Sequence, residues 1–312
     1  MTTDALSITI GTDELGRPVT ADLARLPHLL IAGTTGSGKT TLIHSILTEL
    51  LAQHGPGELR LLLIDPKRVE LRAYRGLPHL RGPIVHDVQD AADALELAVL
   101  TMEERFETLD RADCRDIAAY NAAGGHLPRI VVVIDELANL ILTDRAAIER
   151  PLVQLAAMGR AAGIHLVVAT QHPAREVLTP LVRANIPARA ALATVTAVDS
   201  RVMLGVKGAE MLPGHGAMLF RAGGRSLQQL QGRYVSDADI ERTVSAYPKV
   251  REPEPPPPQQ AMSPTVADQP YSVPGWLLRA VALAGLFSVL MVVGLGLTAA
   301  SAVTGLAWWM FR

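Results

Sequence analysis

Residues 29–41, LLIAGTTGSGKTT, constrain this chain more than any other stretch. The apolar run 29–32 predicts a short buried strand. It leads into Gly33-Thr34-Thr35-Gly36-Ser37-Gly38-Lys39-Thr40, which satisfies the pattern GxxxxGK[ST] at every required position. Residues 42–51 are apolar at helical spacing and predict a helix, so the pattern sits in the strand–loop–helix setting that it needs. Glycines let successive backbone N–H groups turn inward around phosphates without Cβ clashes, and the helix adds the positive end of its dipole. Lys39 would reach the β- and γ-phosphates and the Thr40 hydroxyl would ligate Mg²⁺. The residues from Gly33 to Thr41, Thr41 included, are the candidate nucleotide contacts, with ATP and Mg²⁺ as the expected cofactors. A plain glycine-rich turn ahead of a helix is the simpler alternative, and it does not call for all three parts together.

A second motif completes the chemistry. Residues 130–134, IVVVI, form a continuous β-branched run, the pattern of a strand buried on both faces. The run ends in Asp135-Glu136. Asp135 would hold Mg²⁺ through water, and Glu136 would polarise the attacking water. Alone, the pair would be two solvated carboxylates capping a strand. Downstream of a complete phosphate loop, they point to ATP hydrolysis.

Composition narrows the partners. The chain has 312 residues and a net charge of −2. A basic surface for nucleic acid is therefore absent in bulk, and any grip on DNA has to be local, in a few loops. Cys114 is the only cysteine, which excludes internal disulfides and suits a reducing compartment. The first residues, MTTDALSITIGTDELG, are polar and acidic, without the apolar stretch of a secretory signal.

Along the chain, strands alternate with helices. Residues 7–22 predict a hairpin, and His28, just before the first buried strand, reads as a packing histidine beneath the phosphate loop. Strand 59–64 is followed by Asp65-Pro66-Lys67-Arg68. There Lys67 is either a contact to nucleotide or a neighbouring subunit, or an ordinary solvated lysine. Helices are predicted over 87–109 and about 144–161. Strand 165–170 carries Gln171 at its carboxyl end, where a polar residue can sense a γ-phosphate or hold the water. Further strands are predicted at 188–194 and 217–220. The expected class is α/β with a mostly parallel sheet.

Beyond residue 250 the composition changes. Residues 251–274 contain eight prolines and few apolar residues, the pattern of an extended linker that could span up to roughly 75 Å. No charged residue occurs from 280 to 311. At about 1.5 Å per residue this run suits one tilted transmembrane helix, with Trp276 at one headgroup belt and Trp308 and Trp309 at the other. Gly296 and Ala300 would offer a close-packing face. A buried soluble helix is the alternative. The expected organisation is a catalytic domain over 1–250, a linker over 251–274 and a lipid-embedded anchor over 275–312, with the catalytic domain cytoplasmic because it needs ATP.

Several segments, in order, resemble the motor domain of the FtsK/SpoIIIE DNA translocases: ADLARLPHLLIAGTTGSGKT (21–40), LLIDPKRVEL (62–71), IDELANL (134–140), GRAAGIHLVVATQHP (159–173), LVRANIPARAAL (181–192), DSRVMLG (199–205) and GAEMLPGHGAMLF (208–220). The resemblance implies a RecA-like P-loop ATPase core, a homo-hexameric ring and double-stranded DNA drawn through its pore. It places Arg160 as an arginine finger acting on the neighbouring subunit, against the alternative of a helix-end arginine favoured by the dipole. It also places Arg183 and Arg201 in DNA-facing loops, where either could instead be an ordinary salt-bridge partner.

Two departures from the family pattern remove charge from the expected pore: His172 where an arginine is usual, and Ala197 where a lysine is usual. The resemblance does not extend to the family's winged-helix module, so sequence-directed movement on chromosomes is not expected. Small membrane-tied members that move plasmid DNA between cells are the nearer functional analogue. Type VII secretion ATPases share the motor family, and a protein-moving motor is the alternative reading.

Overall fold

The computed structural model describes residues 5–250. The linker and the anchor expected above lie outside the described residues, and among those described no helix is long and apolar enough to cross a membrane.

The described chain opens with the hairpin β1 (Ser7–Thr12) and β2 (Pro18–Asp22), as its alternating pattern predicts. Strand β3 (Leu29–Ala32) leads into helix α1 (Lys39–Gln53), then strand β4 (Leu59–Ile64), helix α2 (Val88–Arg111) and the short α3 (Ile117–Ala122). Strand β5 (Arg129–Ile134) is followed by α4 (Leu137–Thr143), α5 (Arg145–Met158) and β6 (Ile164–Thr170). The rest comprises α6 (Pro180–Asn185), β7 (Arg189–Leu192), α7 (Ala197–Leu204), β8 (Ala217–Arg221), β9 (Gln228–Gln231) and α8 (Asp237–Ser245).

The described strands build one sheet in the order β2-β1-β9-β8-β7-β3-β6-β5-β4. Strands β7, β3, β6, β5 and β4 run parallel, while every pairing on the other side, from β7–β8 to β1–β2, is antiparallel. The sheet is thus mixed, which corrects the expectation of a mostly parallel one. The added half is made of hairpins, and its strand β9, QQLQ, is exposed at three of four positions, so it has no apolar signature. The helix expected at about 144–161 forms as α5, and the structure adds the short α4 ahead of it. Asp144 takes a non-helical backbone (φ −144, ψ 89) and caps α5 by accepting from Ala147 N at 3.1 Å, so α4 and α5 are separate.

Burial explains the apolar runs of the parallel half. Leu30, Leu62, Val132, Ile134 and Val168 face one cluster with α2, α4 and α5, where Leu95, Met102, Leu140 and Leu152 are buried. Leu29, Ile31, Leu63, Val133 and Val167 face the other, against Leu42, Ile46 and Leu50 of α1, Ile8 and Ile10 of β1, and Ile240 and Val244 of α8. A strand covered on both faces needs apolar residues at every position, each contributing roughly 1.5–3 kcal/mol when fully buried. The carboxyl ends of β3, β5 and β6 are brought side by side, and the motifs follow them.

Candidate active site

The phosphate loop bridges β3 and α1, and two glycines are sterically required in it. A Cβ at Gly33 would lie 2.4 Å from Ser37 Oγ, and one at Gly38 would lie 2.7 Å from the backbone N of Gly216. Gly38 also has φ +103, a conformation that L side chains rarely adopt. The loop is braced on its outer side: Ser37 N donates to Thr34 O at 3.0 Å, and Ser37 O accepts from Gly216 N at 2.8 Å. The amides of Thr35, Gly36 and Gly38 donate to no acceptor among the described residues. Helix α1 has no side-chain cap and no acidic residue in its first turn, so its N-terminal donors and dipole face the same space.

That space is a cavity of about 340 Å³. Thr34, Thr35, Gly36, Gly38, Lys39, Thr40 and Thr41 line it, and so does Gln171. Gly33 and Ser37 are buried and do not line it; they shape the loop from behind. The segments just before β8 and just after β9 close the far wall through His215, Arg233 and the exposed ring of Tyr234. Glu70 also lines the cavity, and burial, with Asp135 nearby, raises its carboxyl above the usual range. Sequence reasoning passed over Glu70, although it lies in the family-like segment 62–71, and Tyr234, which lies in none, because the cavity wall is assembled from distant segments.

Lys39 is almost wholly buried and donates to Asp135 Oδ1 at 2.6 Å and to the Asp135 carbonyl at 2.7 Å. Burial raises the Asp135 carboxyl, and the Lys39 ammonium opposes that shift. The other carboxylate oxygen, Asp135 Oδ2, is buried without a partner. An orphaned hard oxygen behind the Lys39–Thr40 pair suits Mg²⁺, which keeps much of its shell in water and phosphate oxygens. No cluster of three His, Cys, Asp or Glu could hold a metal among the described residues, so Thr40, Asp135 and the nucleotide would supply the ligands together.

Glu136 is fully buried and held from several sides. Its Oε1 accepts from Thr170 Oγ1 at 2.7 Å, and both oxygens accept from Gln171 N at 3.1 Å. Lys67 Nζ lies 3.4 Å from Glu136 Oε2 and donates to Gln171 Oε1 at 2.9 Å. Lys67 is exposed, as in its solvated reading, and it also makes two polar contacts. Its partners lie within its own chain, at the ends of β5 and β6.

The remaining candidates lie elsewhere. Arg160 is exposed at the amino end of β6, where its guanidinium donates to Arg25 O at 2.9 Å. Gln171 follows the carboxyl end of the same seven-residue strand, about 23 Å away. Arg160 therefore does not reach its own chain's phosphate loop. Arg183 on α6 and Arg201 on α7 line one cavity, and Arg175 joins them. His28 is buried and accepts from Leu166 N through Nδ1 at 3.0 Å, a packing role at the amino end of β3, opposite the end that carries the loop.

The chain matches the family model "FtsK/SpoIIIE family" over residues 2–175. It is 43% identical over 255 residues to a DNA translocase FtsK of Lactiplantibacillus plantarum, a match covering 78% of this chain and 32% of that protein. It is 44% identical over 247 residues to the DNA translocase SftA of Bacillus subtilis, covering 77% and 26%. The chain thus spans about a third or less of the length of these relatives. Among solved structures it is similar to the cytoplasmic domain of the Thermomonospora curvata type VII secretion ATPase EccC, with a TM-score of 0.69 and 26% identity over 82% of this chain and 33% of that one. It is equally similar to the pCW3 conjugation coupling protein TcpA with ATPγS, with a TM-score of 0.68 and 26% identity over 79% and 71%. The motifs, the P-loop ATPase fold around them and the family model agree: the chain belongs to the FtsK/SpoIIIE family.

Proposed function

We propose that the chain is an ATP-driven motor that moves double-stranded DNA and is tethered to a membrane by its C-terminal segment. The observation that carries the reading is the convergence at the carboxyl ends of β3, β5 and β6. There a donor-lined phosphate cradle, the Lys39–Asp135 pair and the Glu136–Lys67–Gln171 network come together, and the same chain carries an arginine-lined cavity. ATP phosphates would take the free amides of Thr35, Gly36 and Gly38, and Lys39 would turn part of its charge from Asp135 to the γ-phosphate. Mg²⁺, held by Thr40 and by Asp135 Oδ2 through water, would offset charge on the phosphates. Glu136 would accept the proton of the attacking water, and Tyr234 offers an aromatic face at the rim for the base.

Arg160 supports a ring. It is remote from its own site and exposed, so a catalytic role would act on a neighbour's site, and a homo-hexamer of the kind the family resemblance implies would bring it there. Arg183 and Arg201 would contact phosphates, making DNA binding salt-sensitive and largely independent of sequence. The similarity to EccC favours a second reading, a motor for protein substrates.

One experiment separates the two: ATP hydrolysis by the full chain with linear duplex, with single-stranded DNA and with none, at two salt concentrations. Stimulation by duplex that fades with salt is the expected result. Rings that hydrolyse ATP without any response to DNA would overturn it in favour of a protein substrate.

A further inference from the structure

We propose that Arg175 is a third phosphate-backbone contact for duplex DNA, completing an anion site with Arg183 and Arg201 and joining that site to the nucleotide sensor Gln171. The proposal rests on the DNA-motor reading above.

Three arginines from three separate segments, the loop after β6, α6 and α7, line one cavity of about 340 Å³, with Val198 and Val202 between them. None of the three forms an ion pair among the described residues. Arg183 spends its Nε on Leu178 O at 3.0 Å, while the side chains of Arg175 and Arg201 are exposed and donate to nothing described. The nearby carboxylates are engaged elsewhere or stand apart. Asp199 accepts from Thr196 N at 3.0 Å and Thr196 Oγ1 at 2.8 Å, Glu149 takes the Thr179 hydroxyl, and the exposed Glu176 has an arginine, Arg145, on its backbone carbonyl and none on its carboxylate among the described residues. Gathering three like charges around one cavity is unfavourable without an anion, and guanidinium forks match phosphate oxygens in geometry.

The position of Arg175 gives it a role that Arg183 and Arg201 do not have. Gln171 donates its backbone N–H to Glu136 and accepts Lys67 on its side chain, and Arg175 stands four residues further on. Residues between them, His172, Pro173 and Ala174, wall a small cavity together with Thr34 of the phosphate loop. The segment is stiff. Pro173 is buried, and Ala174 O accepts from both Val177 N at 3.1 Å and Leu178 N at 2.8 Å. A shift of Gln171 on phosphate binding is therefore passed to Arg175 with little slack. The sequence has His172 and Ala197 where the family pattern has cations, and Arg175 returns a positive charge to the same edge.

The test is duplex affinity of the full chain, loaded with a non-hydrolysable ATP analogue, measured across a salt series. Arg175→Ala is expected to weaken binding roughly tenfold at low salt and to reduce the slope of log affinity against log salt by about 1. Arg175→Lys keeps most of the slope because it keeps the charge. Arg17→Ala, in the β1–β2 hairpin where Arg17 pairs with Asp13, behaves as wild type. If wild type binds duplex and Arg175→Ala matches it in affinity and slope, the proposal is overturned and the motor reading stands. If wild type binds no duplex at any salt, the motor reading falls and the proposal with it. Loss of acidic-peptide binding in Arg175→Ala, with duplex binding intact, would overturn the proposal and assign the cavity to a protein partner.

Discussion

Lys67 Nζ lies 3.4 Å from the buried carboxylate of Glu136, 69 positions away in sequence, and its second hydrogen bond, to Gln171 Oε1, ties that carboxylate to the end of β6. The proposed base is thus oriented by a cation at a third strand end, that of β4. Lys67→Ala is expected to lower kcat on the order of tenfold to a hundredfold while ATP affinity stays within about threefold of wild type, because Lys67 lies outside the phosphate cradle. Glu136→Gln should cost at least as much. Steady-state kinetics with a separate nucleotide-binding assay check this. An unchanged kcat in Lys67→Ala would remove it from the catalytic arrangement.

The Lys39–Asp135 pair makes a linked prediction about activity and stability. Lys39→Ala is expected to abolish turnover. It also leaves Asp135 as an uncompensated buried carboxylate, which should destabilise the fold by about 3–5 kcal/mol. Adding Asp135→Asn removes that charge and should recover most of the stability but none of the activity. Chemical denaturation of the single and double variants measures both terms. A Lys39→Ala protein as stable as wild type would contradict the pair's energetic role.

Arg160 cannot serve the phosphate loop of its own chain, so its loss should be repairable by a neighbour. Arg160→Ala is expected to keep nucleotide binding and lose DNA-stimulated hydrolysis. Mixing it with the equally inactive Lys39→Ala should restore part of the activity, since some subunit contacts then combine an intact loop with an intact finger. A mixture as inactive as its components would count against a trans role.

Buried histidines are expected to weaken the fold as the pH falls. Burial pushes the His28 imidazole down to about 4, does the same to His44, and holds His165 well below the ordinary value. The folded state therefore favours the neutral rings, whereas an unfolded chain protonates them near 6.5. Their contribution to stability is complete above about 6.5, falls as the pH drops toward 4, and levels off below that. His28 alone accounts for about 3 kcal/mol across the window. Urea midpoints at pH 7.5 and pH 5 should show the loss. His28→Asn, which tolerates the left-handed backbone at this position (φ 59), should flatten the dependence. Equal pH slopes in the two proteins would refute the assignment.

The sequence by itself determined the parallel half of the sheet and the motifs at its edge. Strands β3, β5 and β6 are covered on both faces, so they must be apolar throughout, and the glycine-rich loop is recognisable because backbone contact to phosphate tolerates few residue types at Gly33 and Gly38. Short elements left no such trace. Helices α3, α6 and α7 have six to eight residues, too few for a helical period to stand out, and β9 is mostly exposed. Only the tertiary structure decided the strand order, the antiparallel pairing of β9 with β1 and β8 and of β8 with β7, the Lys67 contact with Glu136 and the meeting of Arg175, Arg183 and Arg201. Each of these depends on segments far apart in the chain, whose pairing is set by how the sheet closes its two cores and not by any local pattern of residues.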